Sequence, residues 1–310
     1  MTELNATSLP LAHITDVLSD HNTSSAFLNN DEFHYFFIGL LFLIGGFILL
    51  IVAIVGFVGN VVVIWFLIFI IKRTPITTYI LNLAVADFST LLSLVIVIAL
   101  LFLGKMLFGV FIYVFISTSS ASVYLLTAIS AERCLSIVFP IWYRCHRLNH
   151  QSVVVCSLIW AIICVLCVIR VLCYTTYIVN LLLCIVSVLI CIPTVLICTV
   201  VLFLKVYCSL YRCKRGKFYT VLLIALLCFL VFGAPLNIVL CLVDHDYNFG
   251  DTMLPICILL CAVNSSVNPL IYFLCGRKKF RHSKEAFKLV LQRAFSDKDD
   301  CRRNLNQPAT

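Results

Sequence analysis

The sequence predicts an all-α membrane protein: a seven-transmembrane helix bundle with a short amphipathic cytoplasmic helix after the seventh span. Three observations carry that expectation. Hydrophobic residues make up 63% of the chain and the mean hydropathy is +1.11, whereas a soluble domain is nearer half apolar. One globular core could not hold that excess, so a bilayer is the expected solvent. Seven apolar runs reach the roughly 20 residues that a bilayer span needs: Phe36–Ile71, Ile76–Leu103, Leu107–Phe139, Gln151–Leu172, Ile178–Leu210, Phe218–Val243 and Thr252–Cys275. The basic residues, finally, gather on one side of the spans so defined.

The first 32 residues are polar and lack an apolar signal-peptide core. No cleavable signal peptide is expected there, and span 1 would act as an uncleaved signal-anchor. Span 1 is long and holds Gly45 and Gly46, so part of it should extend beyond the membrane. Lys72, Arg73, Arg133, Arg144, Arg147, the cluster from Lys205 to Lys217, and the tail from Arg277 to Arg303 all fall on one side; Lys105 and Arg170 fall on the other. Positive residues stay inside, which puts the amino terminus outside and the carboxy-terminal tail in the cytoplasm. The net charge of +8 thus reflects topology and is no argument for nucleic-acid binding. Asn5 and Asn22 begin glycosylation sequons in the segment placed outside; Asn264 begins another inside span 7, where glycosyl transfer cannot reach. Three regions follow: a glycosylated outer segment at 1–32, a seven-span domain at 33–275, and a tail at 276–310. In the tail Phe280, Phe287, Leu291 and Phe295 recur near helical spacing among Lys and Arg, the signature of an interfacial helix.

Polar groups inside a bilayer are costly, so each one invites a hypothesis. Asp87 lies in the middle of span 2, where a lone carboxylate needs a partner, a proton or a cation. Asn60, Ser122, Asn264, Ser265 and Asn268 can surround it with oxygens and amides, a donor set that suits a small hard cation such as sodium. The alternative is a protonated Asp87 in a structural hydrogen-bond network. Pro193, Pro235 and Pro269 each remove a helix hydrogen bond and should bend spans 5, 6 and 7. Asn268-Pro269-Leu270-Ile271-Tyr272 reads as a conformational hinge near the cytoplasmic end of span 7. Glu132-Arg133-Cys134 closes span 3; Arg133 either pairs with Glu132 or snorkels to the interface. Most of the 17 cysteines sit within spans, where a thiol acts as a small apolar group. Metal-ligand spacing is absent.

Asn60, Asp87, Glu132-Arg133-Cys134, Trp160, Pro235 and Asn268-Pro269-x-x-Tyr272, in that order, resemble the rhodopsin-like (class A) G-protein-coupled receptor pattern from residue 33 to about 295. The string Glu132-Arg133-Cys134-Leu135-Ser136, with Pro140-Ile141-Trp142-Tyr143-Arg144-Cys145-His146-Arg147 after it, resembles Mas and the Mas-related receptors. Departures from the wider superfamily point the same way. Phe108 stands where most relatives carry a disulfide cysteine, Gly233 replaces the span 6 tryptophan, and the loop between spans 4 and 5 is short.

That resemblance implies a cell-surface receptor. An extracellular peptide or small molecule would shift a two-state helix arrangement and activate a heterotrimeric G protein through Glu132, Arg133, Cys134, Asn268, Pro269 and Tyr272. It also implies a Cys173–Cys184 disulfide between the outer ends of spans 4 and 5; two unbridged thiols are the alternative. The expected outer pocket takes in Phe115, Ser119, Arg170, Gly233, Asp244 and Asp246. Arg170 lies about 15 Å beyond Trp160 along the helix, near the outer rim. It could meet a ligand anion, snorkel to lipid headgroups, or favour the negative end of the span 4 dipole. From Lys205 to Val243 there is no Asp or Glu, so Arg133 lacks the span 6 carboxylate partner of many relatives, which suggests appreciable basal activity. Cys301 is a candidate for palmitoylation.

A secondary transporter, a channel and a membrane enzyme are the rival classes. Transporters tend to show inverted repeats and midplane charges, but no repeat is visible and Asp87 is the sole charge near the midplane. A pore would want a charged ring or filter loop. An enzyme would want clustered His, Asp or Cys within the spans, and the histidines all lie in loops or tails.

Overall fold

The computed structural model describes residues 43–71, 73–146, 150–173, 176–210, 216–242 and 247–276. Residues 1–48 form one compact unit, of which only the start of the first helix is described, and residues 49–310 form another. The packing below concerns the second. Helix α1 covers Leu43–Phe69, α2 Pro75–Phe102, α3 Phe108–Val138 and α5 Gln151–Cys173. Span 5 is built from α6 (Thr176–Ile185), a π-helical segment at Val186–Cys191, and α7 (Ile192–Leu210). Span 6 repeats that pattern with α8 (Gly216–Cys228), a π segment at Phe229–Gly233, and α9 (Ala234–Leu242). Helix α10, Tyr247–Gly276, is span 7. The described residues contain seven helices long and apolar enough to cross a membrane, in agreement with the expected architecture.

Local chemistry sets several boundaries. Thr74 caps α2: its hydroxyl accepts from the Thr77 N–H at 3.3 Å, and the Thr77 hydroxyl accepts from the Thr74 N–H at 2.7 Å. Pro75 takes the first helical position, where its missing N–H is no loss. Pro140 likewise starts a short helix that was not among the expected elements, α4 at Pro140–His146. The expected proline breaks take a specific form. Pro193 and Pro235 each stand two residues after a π segment. A proline ring clashes with the carbonyl four residues earlier, here Leu189 and Val231, and the wider π turn contains both carbonyls. Helix α10 runs on through Pro255 and Pro269.

In lipid no hydrophobic force draws helices together, so close approach and interhelical hydrogen bonds matter more. Gly56 allows such an approach. A β-carbon there would fall 2.6 Å from Ser266 Cβ and 2.7 Å from Leu91 Cδ1. The contact lets the Ser266 hydroxyl donate to the Val52 carbonyl at 3.0 Å. Trp160 Nε1 donates to Asn82 Oδ1 at 3.1 Å, tying α5 to α2, and Thr90 donates to Thr118 at 3.1 Å, tying α2 to α3. Apolar clusters bracket a polar layer. One contains Ala53, Leu91, Leu94 and Cys261; the other contains Val63, Leu67, Ile80 and Ile271. Asn60, Asp87, Ser265 and Asn268 lie between them along α1, α2 and α10.

Gly56→Ala should therefore overpack this contact at a cost of about 1–3 kcal/mol and lower both the melting temperature and surface expression. Gly109→Ala, where nothing lies within 4 Å of the added carbon, should be neutral or stabilising. Equal behaviour of the two variants would refute the close-packing argument.

Candidate functional site

The polar layer is centred on Asp87, which has no solvent exposure. The pitch of α2 aims it between the apolar clusters, and Asn268 Nδ2 donates to its Oδ2 at 2.7 Å. Ser122 and Ser265 flank the same carboxyl, while Oδ1 makes no hydrogen bond among the described residues. Asn60 turns away, donating to the carbonyls of Gly56 and Ser265 at 3.0 Å each. Asn264 faces span 6: a β-carbon on Gly233 would come 3.1 Å from its Nδ2. The structure thus brings together Asp87, Asn268, Ser122 and Ser265, it uses Asn60 to join α1 to α10, and it sets Asn264 beside Gly233.

The end at which α3 finishes carries Glu132-Arg133-Cys134. Glu132 is buried, and Arg133 Nη2 lies 3.9 Å from its Oε1. That is long for a charge-assisted hydrogen bond. The same oxygen accepts from the hydroxyl of Tyr143 on α4. Tyr79 of α2 also faces Glu132. Sequence reasoning quoted Tyr143 only as part of a resemblance and missed its role; a tyrosine 11 residues beyond a buried glutamate is a signal that only the fold of α4 makes legible. Cys134 faces Cys198 of α7.

At the opposite end, where α3 begins, Arg170 is 1% exposed. It points among the helices, so the lipid-snorkelling alternative is ruled out. It shares a cavity with Ser120 of α3, Cys184 of α6 and Asn237 of α9. Phe115 and Ser119 do not line that cavity: Phe115 packs in the apolar cluster with Leu91 and Leu236, and the Ser119 hydroxyl donates to Ile116 O at 2.9 Å. Gly233 has its space filled by Phe229, whose Cδ2 lies 2.6 Å from where a β-carbon would be. Phe229 is a bulky buried group that inspection of position 233 alone could not supply. Cys184 is buried, and its Sγ lies 3.9 Å from Asn237 O. Asn5, Asn22, Asp244, Asp246, Cys301 and the tail helix lie outside the described residues, as do the side chains of Cys173 and Tyr272. Among the described residues no His, Cys, Asp or Glu group is arranged to hold a metal ion.

Comparison with known proteins gives this geometry a context. The family described as "7 transmembrane receptor (rhodopsin family)" matches residues 59–272, from the helix 1 polar position to the end of the span 7 motif. The chain is 35% identical to Proto-oncogene Mas of Rattus norvegicus over 268 residues, covering 80% of this chain and 82% of that protein. It is 34% identical to Mas-related G-protein coupled receptor member A of Rattus norvegicus, covering 84% of this chain and 92% of that one. With Mas-related G-protein coupled receptor member H of Rattus norvegicus the identity is 36%, over 80% and 82% of the two chains.

Tyr143→Phe should leave the Glu132 carboxylate short of a donor. A hydrogen bond to a charged group contributes about 1.5–3 kcal/mol, so the purified protein should melt at a lower temperature. An unaltered melting curve for Tyr143→Phe would show that the Tyr143 hydroxyl contributes nothing to the fold.

Proposed function

The chain belongs to the rhodopsin family of seven-transmembrane receptors, in the branch of Mas and the Mas-related receptors, and from that premise we propose how this G-protein-coupled receptor carries its signal. It is a multi-pass membrane protein of the cell surface and not an enzyme. The amino terminus lies outside and the tail in the cytoplasm, as the asymmetry of Lys and Arg supports. An extracellular peptide or small molecule then enters at the end where α3 begins, and a heterotrimeric G protein docks at the end where α3 finishes. The ligand acts only through its differential affinity for the two helix arrangements.

The observation that carries this reading is the Glu132–Arg133 pair. Its carboxylate is engaged by Tyr143, and the Arg133 contact is 3.9 Å long. Arg133, at the end where α3 finishes, turns toward a protein partner when span 6 moves. The π segments before Pro193 and Pro235 offer the compliance for that motion. Asp87, Asn268, Pro269 and Tyr272 couple the two ends. Asp87 Oδ1 and the Ser122 and Ser265 hydroxyls fit a small hard cation such as sodium; when bound, it would supply the positive charge that balances Asp87. Asn268, which donates N–H to Asp87, positions the carboxylate. No Asp or Glu occurs between Lys205 and Val243, which supports measurable ligand-free signalling, with Phe229 packing over Gly233 as the opposing restraint. Asn5 and Asn22 are the proposed glycan sites, and Cys173 and Cys184 the proposed outer disulfide.

Arg133→Ala should cut GTP exchange on added G protein while surface expression holds; unchanged exchange overturns the coupling role. Replacing choline chloride with sodium chloride should raise the melting temperature of the wild type and leave Asp87→Asn unmoved, and equal responses would discard the sodium assignment. Peptide mapping without reduction should recover Cys173 linked to Cys184. Alkylation of both thiols before reduction would reject the bridge, whose closure is worth about 3 kcal/mol in the chain-entropy model.

A further inference from the structure

The turn between α2 and α3 is apolar where a loop in water would be polar. Leu103, Met106 and Leu107 lie among the residues that join the two helices, and Phe102 ends α2 beside them. Phe102 is 76% exposed and Met106 91%. The backbone of this turn is largely self-satisfied. Gly104 adopts a φ of +60°, the left-handed conformation that closes a helix. Its N–H donates to the Leu101 carbonyl at 3.2 Å, the Lys105 N–H reaches back to the Leu100 carbonyl at 3.0 Å, and the Lys105 carbonyl accepts from the Phe108 N–H at 3.4 Å. Carbonyls that a helix end leaves open are thus taken up within the turn. Depth follows from helix length. Helix α2 has 28 residues, which at ~1.5 Å per residue reach about 42 Å. That is close to the roughly 40–45 Å of a bilayer with its headgroup layers. With its capped start at Thr74 at one membrane surface, the far end of α2 and the turn beyond it lie at the headgroup level of the other.

A notch of about 170 Å³ opens on this turn, lined by Leu101, Gly104, Lys105, Met106 and Phe108. Its side-chain walls are hydrocarbon apart from one ammonium, and among the described residues no acidic group lines it. An apolar space of about 150 Å³ admits a benzene-sized group, so the notch suits a short stretch of hydrocarbon. Headgroup depth, an apolar wall and a single cation on a flexible stem together match the junction between a phospholipid's chains and its phosphate. We infer that the turn between α2 and α3 is a phospholipid-binding site. The phosphodiester pairs with the Lys105 ammonium, and the upper part of an acyl chain lies against Leu101, Met106 and Phe108. This requires only that the chain spans a membrane, and it stands apart from the signalling role proposed above.

The test uses the full-length protein in dodecyl maltoside, with Met106 replaced by the photoreactive residue p-benzoylphenylalanine. It is irradiated with equal amounts of dioleoyl phosphatidylcholine and dioleoylglycerol. These lipids share their chains and differ in the phosphate-bearing headgroup, so the ratio of their adducts, read by intact mass, reports the phosphate contact. Phosphatidylcholine should be captured at least about fivefold more, a difference of roughly 1 kcal/mol. Lys105 is exposed, so its replacement leaves the packing intact. Lys105→Gln should bring the ratio close to unity, and Lys105→Arg should preserve the preference. The same photoreactive residue at Ile197, an exposed position on α7, should capture both lipids equally. A common ratio at the two positions overturns the inference, as does a preference that Lys105→Gln leaves unchanged. Crosslinking of position 106 to residues 1–42, or to a second copy of the chain, in place of lipid also overturns it. So does loss of the lipid adduct on adding glycerophosphocholine, the headgroup without chains, which would assign the notch to a soluble phosphoester.

Discussion

Water is absent from the interior of a bilayer, so each polar group there depends on another part of the protein. The 2.7 Å hydrogen bond from Asn268 to Asp87 is the tightest expression of that constraint. It joins spans 2 and 7 across the centre of the bundle, with Asn60 adding span 1 through the Ser265 carbonyl at 3.0 Å. Apolar clusters on either side of this layer keep it dry and locate it in depth. A layer of this kind costs more to leave half-satisfied than to leave out. The carboxylate oxygen not engaged by Asn268 therefore matters as much as the one that is.

Close contact and compliance are distributed unevenly around that layer. Gly56 brings α1 within reach of α2 and α10, a contact that any side chain would obstruct. Spans 5 and 6 instead carry π segments before their prolines. There the backbone hydrogen-bond ladder is already rearranged, and a change of helix direction disturbs fewer well-formed bonds. Span 7 runs as one helix through both of its prolines. Close contacts thus lie among spans 1, 2 and 7, and the π segments lie in spans 5 and 6.

The ends of the bundle hold opposite charge arrangements. At one end the buried carboxylate of Glu132 is held by Tyr143, and Arg133 Nη2 lies 3.9 Å from the same carboxylate. At the other the buried arginine of α5 faces a cavity with neutral polar walls. Neither is a surface ion pair, whose contribution would be small. Both place charge in a low-dielectric setting, where its interactions with neighbouring groups are strong.

The sequence by itself determined the number and order of the spans, because twenty apolar residues have few alternatives to a membrane helix. It also determined which residues must be explained, since an Asp, Asn or Arg within such a run is conspicuous. Pairing was a different matter. That Asp87 takes Asn268 while Asn60 donates to Gly56 and Ser265 instead depends on the rotation of three helices about their axes, which composition does not encode. Tyr143 became a partner of Glu132 only through the turn of α4, and Phe229 covers Gly233 only through the π segment. The burial of Arg170 decided against one of three open readings for the same reason: a residue near the end of a span faces lipid or protein according to helix rotation. A one-residue register specifies depth, whereas the direction of a side chain is decided by the neighbouring helices that close around it.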